Sequence, residues 1–165
     1  MECLGTIDEL SACLGLSLEH LEQQPTCAQG APRLIADVNR IQTHLCDLGA
    51  ELADPEGKRR ISPRQVAWLE GEIDRWTAKL PTLHVFILPG GGPVSASFHL
   101  ARTVCRRAER ALVHLSQHEP VSQTSLAYIN RLSDALFVAA RFAAKLGGFS
   151  DRIAKPVSAG KPNPG

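Results

Sequence analysis

Between residues 34 and 52 the apolar side chains fall at Leu34, Ile35, Val38, Ile41, Leu45, Leu48 and Leu52. Steps of three and four put them on one stripe of a helix, and such a stripe has to be buried against other helices. The same period recurs along the chain, and no strand of convincing length interrupts it. The first helix is expected to open at Thr6, where Thr6-Ile7-Asp8-Glu9 fits a capping box, and to fray near Gln24-Pro25. Its apolar side is Leu10, Cys13, Leu14 and Leu18, and a polar loop with Gly30 and Pro32 follows. Ser62-Pro63-Arg64-Gln65 opens a third helix with a serine cap, proline in the first turn and a glutamine reaching back. Trp68, Leu69, Ile73 and Trp76 form its apolar side. A fourth helix runs from Pro93 to about Gln117, and a fifth from about Ser122 to Leu146, ended by Gly147-Gly148. The expected fold class is all-α with five helices, a single domain over residues 1–152 and a mobile tail over 153–165.

One linker departs from this pattern. LPTLHVFILPGGGP, residues 80–93, is apolar and then rich in glycine. Phe86-Ile87-Leu88 has the composition of a short strand, but no partner strand is evident, so the segment reads as extended chain packed on the helices. From the residues alone Phe86 reads as a core aromatic.

Composition removes several function classes. The formal net charge of +1 gives no bulk attraction to nucleic acid or to an acidic membrane. No apolar run reaches the ~18 residues of a membrane span. The N-terminus MECLGTIDEL has neither a basic n-region nor an arginine-rich amphipathic stretch. The five cysteines are odd in number and contain no CxxC pair, and the six histidines show no HExxH spacing. Reduced thiols and no protein-built metal site are therefore expected.

The charge is concentrated instead. CRRAER, residues 105–110, holds Arg106, Arg107, Glu109 and Arg110, and Arg102 lies one turn upstream. At about 100° per residue, Leu100, Val104, Ala108, Ala111 and Leu115 share one side of the fourth helix. Arg102, Arg106, Glu109 and Arg110 gather opposite, with Arg107 at the edge. On the fifth helix Leu132, Leu136, Ala139 and Ala143 form the core stripe, while Asn130, Asp134, Phe137 and Arg141 share another face and Arg131 lies off it. A solvated face, a nucleic-acid patch and a phosphate site are all compatible with that cluster. The preference for arginine over lysine favours bidentate anion contacts. Interleaved Glu109 and Asp134 weigh against nucleic acid.

FILPGGGPVSASFHLARTVCRRAERALV, followed by YINRLSDALFVAARFAA and preceded by GTIDELSACLG, strongly resembles the ATP:cob(I)alamin adenosyltransferases of the propanediol-utilisation type. The resemblance covers about residues 3–150. It implies a five-helix bundle that assembles as a homotrimer with active sites between subunits. The implied reaction moves the 5′-deoxyadenosyl group of ATP, with Mg2+, onto cob(I)alamin, giving adenosylcobalamin and triphosphate. By the same resemblance Arg106 contacts the polyphosphate, and Asn130 contacts the nucleotide. Glu109 and Arg107 belong to the ATP side, Glu109 orienting the arginines or the nucleotide. Arg102 pairs with Asp8 of the partner subunit. Phe86 lies beneath the corrin and helps exclude the lower axial ligand. Arg131 and Asp134 form a supporting layer or a cobalamin-side wall. A reductase and an adenosylcobalamin-dependent client enzyme are the implied partners. The implied compartment is the cytoplasm for a bacterial chain and the mitochondrial matrix for a eukaryotic one.

That family carries a segment close to TKTGDxGxT well before GTxDEL, wrapping the ATP phosphates. The chain starts at Met1-Glu2-Cys3, so the expectation is that this segment is missing and ATP affinity is reduced. The alternative function is then a catalytically weak module that binds or delivers cobalamin.

Overall fold

The computed structural model describes residues 2–24 and 31–154. Its elements are α1 (Glu2–Glu22), α2 (Ala31–Ala53), α3 (Pro63–Thr77), β1 (Ile87–Leu88), α4 (Pro93–Leu115), α5 (Gln123–Leu146) and β2 (Arg152–Ile153). α4 lies between α1 and α5, α5 also packs on α3, and α1 also packs on α2. Leu10, Leu14, Leu34, Leu45, Leu48, Leu69, Phe98, Leu112, Tyr128 and Leu132 form one continuous core with Trp76. The expected residues at 25–30 and the tail at 155–165 lie outside the described residues.

The cap of α3 forms as its sequence dictates: the Gln65 Oε1 accepts the Ser62 N–H at 2.7 Å, and Pro63 occupies the first turn. Ser62 has extended backbone, which aims the chain into the helix. At α5 the Ser122 hydroxyl accepts the Ser125 N–H at 3.0 Å. Glu51, buried near the end of α2, joins these two helix starts. Its carboxylate accepts the Ile61 N–H at 2.9 Å and the Ser125 hydroxyl at 2.9 Å.

Several expectations are corrected. Thr6 is not a cap: α1 begins at Glu2, and Thr6 lies inside the helix, buried, its hydroxyl donating to the Glu2 carbonyl at 2.9 Å. A threonine hydroxyl finds a carbonyl one turn back as readily as an amide one turn ahead, so the motif does not distinguish the two. Pro32 is not in a loop, because α2 begins at Ala31 and the proline fits its first turn. The linker strand has a partner after all: Ile87 pairs with Ile153 and Leu88 with Arg152, antiparallel. The boundary expected between 152 and 153 falls inside that pair. The core stripe of α4 is also rotated. Phe98, Ala101, Cys105, Ala108 and Leu112 are buried with Val104, whereas Leu100 is 49% exposed. A helix sandwiched between α1 and α5 must bury two flanks, and a one-sided helical wheel does not supply the second.

Candidate active site: a cleft bounded by the 83–87 segment and the polar faces of α4 and α5

Phe86 is 88% exposed, which overturns its reading as a core aromatic. It projects from the linker into a cleft of about 490 Å³ lined by Leu83, His84, Val85, Ile87, Arg102 and Phe137. An aromatic so exposed among other apolar walls is a surface shaped for an apolar ligand. Opposite it, the Arg102 guanidinium carbon sits 5.3 Å over the Phe137 ring, and His99 meets that ring edge-on at 6.1 Å. Burial, reinforced by the Arg102 cation, pushes the His99 pKa down, with Asp151 acting in the opposite direction. The imidazole beside the cleft is therefore neutral at physiological pH.

From Arg102 the helix carries the charge away along its surface. Arg106 follows one turn later and faces a second hollow of about 460 Å³, shared with Glu109, Arg110, Val113, His114 and Gln117. Among the described residues Arg102, Arg106 and Arg110 form no ion pair within the chain, so the row presents uncompensated cations. Asn130 of α5 donates to the Glu109 carboxylate at 2.7 Å, tying the two helices together at the edge of this row. Cys105 faces inward. Burial pushes its thiol pKa far up, with Glu109 adding to the shift, and its Sγ donates to the Ile129 carbonyl at 3.4 Å. It is a core residue and not a nucleophile.

Other residues singled out from the sequence lie elsewhere. Arg107 turns to Glu9 of α1 and forms an ion pair with it. Arg131 bridges Asp134 at 3.1 Å and Glu70 of α3 at 3.2 Å. Asp8 is exposed on α1 and forms no ion pair within the described chain. Arg141, expected on the polar face of α5, is buried and reaches Asp151. Sequence reasoning did not place His99 at the site. Its position three residues before Arg102 is the only signal, and a histidine at that spacing also suits a plain core position. No three His, Cys, Asp or Glu side chains converge on a metal position among the described residues.

The arginine row of α4 thus runs out of the apolar cleft along the edge of α5. Comparison with known proteins shows the family. The pattern of the cobalamin adenosyltransferase family matches residues 1–143, and the chain belongs to that family. The corrinoid adenosyltransferase of Bacillus subtilis is 42% identical over 153 residues, covering 92% of this chain and 77% of the relative. The human corrinoid adenosyltransferase is 38% identical over 161 residues, covering 92% of this chain and 62% of its own. Among solved structures, a phenylalanine-to-histidine variant of the PduO-type ATP:corrinoid adenosyltransferase from Lactobacillus reuteri, complexed with cobalamin and ATP, superposes with a TM-score of 0.83. It is 33% identical, and the match covers 93% of this chain and 82% of that one. An arginine-to-lysine variant of the same type from that organism, complexed with ATP, gives a TM-score of 0.83 at 33% identity, covering 93% and 85% of the two chains.

Proposed function

We propose that this chain transfers the 5′-deoxyadenosyl group of ATP to cob(I)alamin, and that it does so as a homotrimer with its sites between subunits. The observation that carries the reading is the continuity of two surfaces. Uncompensated Arg106 and Arg102 follow one another along α4 and end at the apolar cleft beneath Phe86. A polyanion and a flat macrocycle, held on adjoining surfaces, bring the two reactants into contact.

The reaction is a displacement at the ribose C5′. The electron pair of cob(I)alamin forms the cobalt–carbon bond, the C5′–O5′ bond breaks, and its electrons leave on triphosphate. Cobalt is formally oxidised from the +1 to the +3 state, and no oxidant beyond the alkyl donor is needed. The substrate supplies the nucleophile, so the protein contributes placement and electrostatics. Charge on the leaving triphosphate grows in the transition state, and Arg106 is placed to meet it. Asn130 and Glu109, already bonded to each other, offer a fixed donor and acceptor edge to the nucleoside. Mg2+ arrives on the phosphate oxygens of the nucleotide. Phe86 presents its ring to the corrin and closes that face to a competing axial ligand, which favours the reduced, nucleophilic cobalt. A one-electron reductant must deliver cob(I), and an adenosylcobalamin-dependent enzyme must consume the product. Arg102, beside both surfaces, is free to meet Asp8 of the partner subunit.

The test is anaerobic conversion of cob(I)alamin and MgATP, followed by cobalamin absorbance and triphosphate analysis, with sedimentation on the same sample. The expected result is adenosylcobalamin and triphosphate in equal amounts from a trimer. Cobalamin binding without any alkyl product would make the chain a carrier and refute the transferase reading.

A further inference from the structure

The segment that carries Phe86 has a hollow on each side. In front lies the cleft just described, and behind lies a cavity of about 520 Å³ whose walls include Leu80, Thr82, Ala144, Phe149, Arg141 and Asp151. Leu83, His84 and Val85 line both. A strip of chain with open space on two faces gains little positional restraint from packing, so its ends decide where it sits. The leading end is held by Arg141 of α5, itself fixed by Asp151, and the trailing end by residues 152–154. At the leading end, buried Arg141 donates from Nη2 to the Pro81 carbonyl at 2.9 Å and from Nε to Asp151 Oδ2 at 2.9 Å. Only 8% of the Arg141 side chain is exposed, so both contacts are shielded from competing water. At the trailing end, the Ala154 N–H donates to the Phe86 carbonyl at 2.9 Å, and β2 pairs with β1 directly after it.

We infer that Arg141 and Asp151 are positioning residues for Phe86. They clamp the start of the linker to the strand that holds its end, so the placement of the corrin-facing ring depends on a charge pair on the opposite side of the segment. The clamp is read from the geometry alone, and its catalytic consequence rests on the transferase reading.

Amide hydrogen exchange of the full chain reads the clamp without reference to activity. In Asp151→Ala, the Ala154 amide and those of residues 87–88 are expected to exchange about tenfold faster, with α2 and α3 unchanged. The same variant is expected to raise KM for cobalamin about tenfold while KM for ATP stays put, and Asp151→Glu is expected to recover part of both effects. Unchanged exchange at Ala154 overturns the clamp. Faster exchange with unchanged kcat and KM overturns the positioning role. If Asp151→Ala loses helix protection throughout, Arg141→Lys carries the same two readouts, because it keeps the charge and loses the two-pronged contact. Wild-type protein that makes no adenosylcobalamin overturns the transferase reading, and the exchange result still decides the clamp.

Discussion

Arg106 and Arg107 are adjacent in the chain and turn to different neighbours. Arg107 meets Glu9 of α1, whereas Arg106 faces an open hollow and forms no ion pair among the described residues, the nearby Glu109 carboxylate accepting from Asn130 instead. The two should therefore respond differently to substitution. Arg106→Ala is expected to lower kcat by about 10²–10³-fold, the usual cost of removing one preorganised group at a developing charge. Arg106→Lys should fall between, since an ammonium keeps the charge and loses the planar fork. Arg107→Ala should leave kcat near wild type and shift stability by no more than about 1 kcal/mol, as befits an exposed ion pair. Steady-state kinetics of the three variants, with chemical denaturation, checks the assignment. Equal losses at both positions would mean that Arg107 leaves Glu9 when nucleotide binds. At this scale the sequence showed the cluster and its arginine bias but could not show which arginine is already paired. That depends on Glu9, nearly a hundred residues away.

The element that most constrains the site is the turn into α4. Gly91 and Gly92 both have φ of 89°, a region that side chains rarely tolerate. A Cβ on Gly92 would also lie 2.6 Å from the Phe149 ring. The glycines let the linker turn tightly against the end of α5 before Pro93 starts the helix that carries the arginines. Gly92→Ala is expected to cost about 1–3 kcal/mol in denaturant unfolding, from backbone strain together with the Phe149 clash. A cost near zero would mean that Phe149 moves freely and the turn relaxes. Periodicity and punctuation made all five helices and this glycine turn legible. The β1–β2 pair was not, because two-residue strands leave no periodic trace and owe their pairing to the return of the chain after α5.

Across the whole molecule, two buried histidines set the response to acid. His44 lies 5% exposed between Trp68 and Tyr128, with Nδ1 3.1 Å from the Tyr128 hydroxyl. Burial first, then the Arg40 cation, lowers its pKa below the ordinary 6.5, and His99 is lowered for parallel reasons. Between the lowered folded values and 6.5 the unfolded chain binds more protons, so stability rises with pH through that window and falls on acidification. Asp37 works in the opposite sense at lower pH. Burial, helped by Glu72, raises it above 3.8 against the pull of Arg75 and Arg33, so its contribution declines as pH rises through its folded pKa. The expected observation is a Tm that climbs as pH rises toward the ordinary histidine value of 6.5, with a shallower climb in His44→Gln. An identical slope in that variant would assign the climb to His99.

The sequence by itself determined the class of the fold, the bounds of α4 and α5 to within a few residues, the cap at Ser62, and the spacing that sets Arg102 and Arg106 one turn apart. These are local properties: a period, a cap and a turn each depend on residues within a few positions of one another. Only the tertiary structure decided that Phe86 stands out in a cleft, that α4 buries two flanks, that Arg107 is paired while Arg106 is free, and that Arg141 turns inward to Asp151. Each of those outcomes depends on a partner distant in sequence and on space left open or closed by packing, and no local pattern encodes either.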